Sequence, residues 1–231
     1  CGCCCKLTST AAGMATQGLR PVTAIYSTFL QRGYDSIIHD VAIQHLPVIF
    51  CLDRAGLVGE DGETHAGLYD IAYMLAVPHM TVTAPASGSE LIGLLRTAMA
   101  HADNPFAIRY PRDASPDLVG PAKEIPAVPY GTWDVLRKGN DEVAVLAVGT
   151  MVAQAMQAAE TLSAEGLDVT VVNCRFLKPI DHVSLAALVH DHKQLLVVEE
   201  GTVVNGFGAY LSSVVEQLEP SVRGLAALQQ R

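Results

Sequence analysis

The sequence predicts an α/β protein of two three-layer α/β/α domains, each with a mainly parallel sheet. Three observations predict this class. Strand-like runs alternate with helical patterns in both halves of the chain, and a proline-rich stretch separates the halves. Half of the 231 residues are hydrophobic and only 17% are charged, which is sufficient for a large apolar core. We expect domains at 1–120 and 135–231 with a linker at 121–134.

The first half begins with a β-branched run, Arg20–Tyr26, that predicts a strand, and Ser27 or Thr28 can cap the helix that follows it. Val48–Leu52 is apolar throughout, which is typical of a parallel strand covered on both faces. The other elements expected in this half are a helix over 69–76, a strand over 80–84, a helix over 89–102 and a strand over 106–110.

The second half follows a segment with prolines at positions 111, 116, 121, 126 and 129, a composition typical of a linker. The alternation then repeats. Strands are expected over 143–148, 168–173 and 194–199, and helices over 151–165, 182–190 and 206–217. Ligands of such sheets bind outside the carboxyl ends of the strands, so the loops there are the candidate sites.

Charge and apolar patterning exclude several classes of function. The net charge of -9 argues against nucleic acid or an anionic membrane surface as the main partner. No uninterrupted apolar run reaches the length of a membrane span, and the first ten residues lack the pattern of a signal peptide. Beyond the first five residues only Cys51 and Cys174 occur, which is typical of a cytoplasmic protein.

The chain starts with four cysteines in five residues, Cys1, Cys3, Cys4 and Cys5, and without a methionine. A structural zinc site needs a second, separated pair of ligands, and none follows. We therefore predict no metal site in this segment and interpret the start as a truncation or a cloning artefact.

Three loops at predicted strand ends contain chemically capable residues. The first runs from Tyr26 to Arg32 (YSTFLQR) and combines an aromatic ring, two hydroxyls and an arginine. The third contains Arg109 and Arg112, which could hold a phosphate by bidentate hydrogen bonds. On pattern alone, an ordinary strand-to-helix turn and solvated arginines before a linker account for these loops equally well.

The second loop, 53–67, reads DRAGLVGEDGETHAG and is the densest in polar groups. Its glycines permit sharp turns, and a histidine beside carboxylates can transfer a proton near neutral pH. The carboxylate spacing does not match an EF-hand. A solvated loop with a run of charges remains the alternative.

Taken in order and spacing, YSTFLQR, the 53–67 loop and IRYPR resemble transketolase-like thiamine-diphosphate enzymes, most closely the 1-deoxy-D-xylulose 5-phosphate synthase family. In the second half, VVNCRFLKPID and VVVEEGTVVNGFG are similar to that family's carboxyl-terminal domain. The resemblance implies a transferase that condenses pyruvate with glyceraldehyde 3-phosphate, releases CO₂, and requires thiamine diphosphate and Mg²⁺. The product feeds isoprenoid, thiamine and pyridoxal synthesis.

The resemblance also implies roles for individual residues and an assembly. Phe29 is expected against the aminopyrimidine ring of the cofactor, and Asp61 and His65 are expected to face the reacting carbons. The residues expected at the substrate phosphate are Tyr26, Arg54 and Arg112, with Arg32 close by. Family members form homodimers, so a homodimer is expected.

The sequence departs from the family in three places. Counting back from Ala11, Cys4 occupies the position of the glutamate that bonds a pyrimidine nitrogen and drives ylide formation, and a thiol cannot replace that acid. The Mg²⁺ and diphosphate motif of the family's amino-terminal domain does not occur in this sequence, so we expect a fragment that lacks that domain. The ending from Ser221 differs, so the carboxyl-terminal domain is expected to be truncated, without its last strand and helix.

We therefore expect a synthase fragment that is inactive alone. Two other hypotheses remain. The chain is the β-subunit-like half of a split thiamine-diphosphate enzyme, or it is a non-catalytic interaction module that keeps the dimer surface.

Overall fold

The computed structural model of the chain describes residues 3–101, 103–115, 124–140, 142–218 and 225–229, with side chains of residue 3 and of 225–229 excepted. The strands are β1 (Val22–Tyr26), β2 (Ile49–Asp53), β3 (Thr81–Thr83), β4 (Phe106–Arg109), β5 (Asp134–Arg137), β6 (Val143–Ala147), β7 (Thr170–Asn173), β8 (Phe176–Lys178), β9 (Gln194–Glu199) and β10 (Leu225–Gln229). The α-helices are α1 (Cys3–Thr16), α2 (Ser27–Leu30), α3 (Tyr34–Ser36), α4 (Asp70–Ala76), α5 (Gly88–Ala100), α6 (Met151–Ala164), α7 (His182–Asp191) and α8 (Phe207–Leu218).

Two five-stranded sheets organise the described residues, in the orders β1-β2-β4-β3-β8 and β10-β9-β6-β7-β5. In each sheet four strands are parallel and one edge strand is antiparallel: β8 pairs with β3, and β5 pairs with β7. The predicted fold class, two mainly parallel α/β/α units, is confirmed.

One strand connects the two halves. β8 follows β7 in the second half of the chain but completes the sheet of the first half, where Lys178 lies opposite Val82 and Phe176 opposite Thr83. Trp133 is 6% exposed and donates from Nε1 to the carbonyl of Phe176 over 2.7 Å. One hydrophobic cluster accordingly contains residues of both halves, including Phe50, Phe106, Phe176 and Phe207.

Several elements differ from the sequence prediction. Helix α1 was not predicted, nor were β5, β8 and β10. The expected first helix is instead a chain of short pieces, in which a 3₁₀ turn (Gln31–Gly33) and a π-helix (Ile37–Ala42) alternate with α2 and α3. The expectation that the last strand is missing is wrong, because β10 pairs in parallel with β9.

Other expectations fall on residues that lie outside the described part of the chain: Cys1, the first three residues of the expected linker (121–123), and parts of the ending at 219–224 and 230–231. Within the residues that are described, no helix is both long enough and apolar enough to cross a lipid bilayer.

Candidate functional site

The three polar loops lie side by side because their strands are neighbours in one sheet. Tyr26 at the end of β1 pairs with Asp53 at the end of β2, and Leu52 pairs with Arg109 at the end of β4. Parallel strands bring their carboxyl ends to the same edge, so the loops that follow share one surface. The fold thus brings the residues singled out in the sequence into one cluster.

An aromatic platform forms the centre of this cluster. The rings of Tyr26 and Phe29 are stacked, with centroids 5.1 Å apart and planes inclined by 6°. The His65 ring meets Phe29 edge to face at 5.3 Å and 68°. Arginines lie over both stacked rings: the guanidinium carbon of Arg54 is 3.9 Å from the centroid of Tyr26, and that of Arg32 is 6.0 Å from the centroid of Phe29.

Two arginines converge on one carboxylate. Arg54 Nε donates to Asp61 Oδ2 at 3.1 Å, and Arg112 Nη1 donates to Asp61 Oδ1 at 2.8 Å. Arg54 also bonds the neighbouring Asp53. Burial opposes the charge on Arg54, but Asp53, Tyr26 and the Asp61 hydrogen bond outweigh it and raise the pKa of that guanidinium. Both guanidinium groups are therefore held in place by ion pairs with carboxylates of the 53–67 loop.

The loop that contains Asp61 and His65 is closed at its neck by glycines. Gly56 and Gly67 exchange two backbone hydrogen bonds of 2.9 Å. Gly56 adopts a φ of 79°, and a Cβ on Gly67 would meet the carbonyl of Arg54 and come within 2.7 Å of Ser27 Oγ. Only glycine permits this backbone approach, so the glycines of the motif define the shape of the loop.

Contacts between loops position His65. Its Nδ1 lies 3.0 Å from Thr64 Oγ1, and Thr28 in the first loop donates to the carbonyl of Thr64 over 3.4 Å. The imidazole is partly exposed, as a group that exchanges protons with a ligand must be.

Arg109 differs from the sequence interpretation that offered it as a phosphate ligand. It is 6% exposed, and its Nε donates to Asp70 at 2.9 Å while Nη2 donates to the backbone carbonyl of Glu200 at 3.0 Å. Asp70 itself is 1% exposed. Arg109 therefore joins the two halves of the chain beneath the site, whereas Arg112 is the arginine of that loop that reaches the cluster.

Sequence reasoning missed the part of the second half that meets these loops. A narrow cleft between the halves is lined by Ala55, Arg109, Tyr110, Gly149, Thr150 and Glu200, among others. Glu200 directly follows the predicted strand 194–199, and this position at a strand end was the sequence feature that could have marked it as a site residue.

The fit to thiamine diphosphate is partial. The platform around Phe29 offers an aromatic face of the kind that a pyrimidine ring stacks on. Cys4, at the position where the resemblance places a glutamate, is a buried thiol on α1, packed beside Gly33. Among the described residues no group of three or more histidine, cysteine, aspartate or glutamate side chains could hold a metal ion.

Comparison with known proteins identifies both halves. Residues 6–117 match the model described as the transketolase pyrimidine binding domain, and residues 131–229 match that of the transketolase C-terminal domain. Curated relatives include 1-deoxy-D-xylulose-5-phosphate synthases of Aquifex aeolicus, 51% identical over 86% of this chain, and of Crocosphaera subtropica, 47% identical over 90%. The chain spans about a third of their length, 31% and 32% respectively.

Solved structures agree on the fold. A protein described as a split gene transketolase, inactive beta4 tetramer, superimposes with a TM-score of 0.86 at 29% identity, over 98% of this chain and 72% of that one. A transketolase variant from Pichia stipitis superimposes with a TM-score of 0.71 at 18% identity, over 91% of this chain and 29% of that one, a likeness of fold.

Proposed function

We propose that this chain, which belongs to the transketolase family of thiamine-diphosphate-dependent transferases, forms the pyrimidine-binding and C-terminal domains of a 1-deoxy-D-xylulose-5-phosphate synthase. The reaction would join pyruvate and glyceraldehyde 3-phosphate with loss of CO₂, as the first step of the non-mevalonate route to isoprenoids. The observation that best supports this proposal is the convergence of Arg54, Arg112, Asp61 and His65 beside an aromatic platform.

In this proposal the arginines bind the phosphate of the aldehyde substrate. Arg54 and Arg112 both donate to Asp61, so two guanidinium groups already face one anion. A phosphate dianion can accept paired N–H bonds from such groups. Tyr26 lies beneath Arg54 and would complete the phosphate pocket, with Arg32 at its margin.

Phe29 would pack against the aminopyrimidine ring of thiamine diphosphate. The cofactor, when bound, supplies the carbanion chemistry, and the protein supplies orientation and proton transfer. His65 lies edge-on to Phe29, and this ring contact supports a role for the imidazole beside the cofactor. We assign proton donation and acceptance around the substrate carbonyl to His65, and we propose that Asp61 faces the reacting carbons beside it.

Diphosphate and Mg²⁺ would be held by a further domain, since the described residues offer no acidic cluster for a metal. For the same reason, and because Cys4 occupies the acid position, we propose that the chain alone does not catalyse the reaction. Purified chain supplied with both substrates, thiamine diphosphate and Mg²⁺ is expected to yield no product. Product formation above a blank would contradict this.

A homodimer and a cytoplasmic location complete the proposal. Leu7 and Met14 on α1, Leu19 after it and Val22 at the edge of β1 are exposed apolar side chains on one region of the first half, and a second copy would cover them. The core thiols Cys51 and Cys174 are free, as is usual in a reducing compartment.

Substrate binding tests the central claim directly. Calorimetric titration with glyceraldehyde 3-phosphate is expected to show saturable binding that weakens by at least about tenfold in Arg112→Ala, since hydrogen bonds to charged groups are lost. Arg20→Ala removes an exposed arginine outside the site and is the matched control. Equal affinities for the two variants would contradict the assignment of Arg112.

A split enzyme is the second candidate, favoured by the superposition on the split gene transketolase. Here a separate chain would carry the diphosphate motif. Titration with thiamine diphosphate in the presence of such a chain is expected to show binding that neither chain shows alone. If no combination binds the cofactor, the chain is instead a non-catalytic interaction module.

A further inference from the structure

Glu200 touches the site loop although it belongs to the second half of the chain. Its carboxylate lies against the neck of the loop, where a Cβ built on Gly56 would be 2.8 Å from Oε2 and 3.2 Å from Cβ of Glu200. Gly56 forms that neck with Gly67 through two hydrogen bonds. The absence of a side chain at position 56 is what allows the glutamate to pack on the backbone there.

Glu200 is itself held at both ends. Thr150 Oγ1 donates to Oε2 over 2.6 Å, and Arg109 Nη2 donates to the backbone carbonyl over 3.0 Å. Thr150 directly precedes α6, and the positively polarised start of a helix favours a nearby carboxylate. Because its backbone and its carboxylate are both held by hydrogen bonds, Glu200 has a defined position against Gly56.

The location of this contact is informative. In the strand order of this sheet, β6 lies between β7 and β9. The chain passes from β6 to β7 on one side and later returns to β9 on the other. The crevice at such a switch point, at the carboxyl ends of the strands, is where doubly wound domains bind ligands. Thr150 follows β6 and Glu200 follows β9, so the two residues lie on opposite sides of this crevice. Their hydrogen bond therefore crosses it.

We infer that Glu200 is a positioning residue. Thr150, at the switch-point crevice of the second domain, bonds Glu200, and Glu200 packs on Gly56. Through these contacts the second domain holds the loop that contains Asp61 and His65. This inference rests on the proposed function for the role of the loop, but the contact it invokes is independent of any substrate.

Hydrogen exchange measured by mass spectrometry, without substrate, tests the inference. Glu200→Ala is expected to speed amide exchange in segment 56–67 by roughly threefold to tenfold, because the neck at Gly56 loses the side chain that packs on it. Glu200→Gln, whose amide oxygen can still accept from Thr150, is expected to stay within about twofold of the parent chain. Glu165→Ala, an exposed glutamate after α6, is the matched control.

Thr150→Val removes the hydroxyl donor and preserves the shape of the side chain, so it decides the matter if Glu200→Ala does not fold. Thr161→Val, on the exposed face of α6, is its control. Exchange in 56–67 that matches the controls would overturn the inference, and so would an increase spread evenly over both domains, which indicates general destabilisation. A chain with the expected exchange pattern that binds no glyceraldehyde 3-phosphate would overturn the proposed function alone.

Discussion

Arg109 donates from Nε to Asp70 Oδ2 over 2.9 Å at a depth where the two side chains are 6% and 1% exposed. This ion pair lies between the site loops and the second half of the chain, because the same guanidinium bonds the carbonyl of Glu200. A charge buried at that depth is tolerated only while its partner is present.

Arg109→Met is therefore expected to lower the free energy of unfolding by roughly 3–5 kcal/mol, since it leaves the Asp70 carboxylate buried without a counter-charge. Urea denaturation followed by circular dichroism measures the loss. The double variant Arg109→Met, Asp70→Leu removes both charges and is expected to be more stable than the single variant. A single variant within about 1 kcal/mol of the parent chain would show that the pair contributes little.

Asp181 caps α7 and also anchors the start of the second domain. Its Oδ1 accepts from Ser184 N at 3.0 Å, and its Oδ2 accepts from Trp133 N at 2.9 Å. Asp181→Ala is expected to cost about 2 kcal/mol, because it removes the cap and leaves the Trp133 amide without that acceptor. Asp181→Asn keeps one acceptor oxygen and is expected to lose less.

The contribution of Asp181 depends on pH in a defined direction. Burial alone would raise the pKa of the carboxyl, but hydrogen bonds from Ser184 and Trp133 outweigh it and lower the pKa. The stabilisation is thus present above the pKa of the unfolded state and is lost as pH falls through the lower folded value. The difference in stability between parent and Asp181→Ala is expected to shrink in acid. A constant difference across that range would contradict the prediction.

Glu199 is expected to show the opposite dependence. Its carboxylate is 1% exposed and accepts from the backbone amides of Phe207 and Gly208 at 3.0 and 2.9 Å. Burial raises its pKa despite those two bonds. A raised folded pKa stabilises the protein fully below the unfolded value, and this stabilisation is lost as pH rises through the folded value.

The measurement compares the parent chain with Glu199→Gln, which does not titrate. The stability of the parent relative to the variant is expected to fall as pH rises from about 4 to about 8, in urea titrations at each pH. A relative stability that rises over this range would contradict the assignment of a raised pKa to Glu199.

The core thiols are expected to be unreactive in the folded state. Burial raises the pKa of Cys51 to about 11, and it raises that of Cys174 well above its ordinary value. At about pH 8 the thiolate fraction of Cys51 is then roughly a thousandth. Iodoacetamide labelling read by peptide mass spectrometry is expected to modify the partly exposed Cys5 faster than Cys51 or Cys174. Labelling of Cys51 at the rate of Cys5 in the folded chain would contradict this.

The sequence indicated which loops lie together, because their polar residues follow predicted strand ends. Tyr26, Phe29, Asp61 and His65 follow strand ends, and adjacent parallel strands necessarily bring such loops together. Arg109 and Arg112 could not be distinguished, because burial depends on Asp70, 39 residues away along the chain. An ion pair between residues so far apart in the sequence leaves no pattern in the residues around either of them.

Helix α1 was missed although its sequence contained a signal. Its buried positions are Cys4, Thr8, Ala11, Ala12 and Ala15, which follow the helical period. These side chains are small or polar, so they do not form an evident apolar stripe. The small side chains allow the helix to pack against the segment 34–42, a long-range contact that leaves no local pattern. Strand β8 has three residues, too few for any periodicity to be recognised.

The placement of β8 has a consequence for how the protein can be divided and made. A polypeptide that ends in the linker would lack Phe176–Lys178, and β3 would then be an open sheet edge with free amides and carbonyls. During synthesis on the ribosome the first sheet stays unfinished until the second domain is partly translated. The boundary between the two matched regions is thus not a boundary between separate sheets, and the pyrimidine-binding region expressed alone would be prone to aggregate.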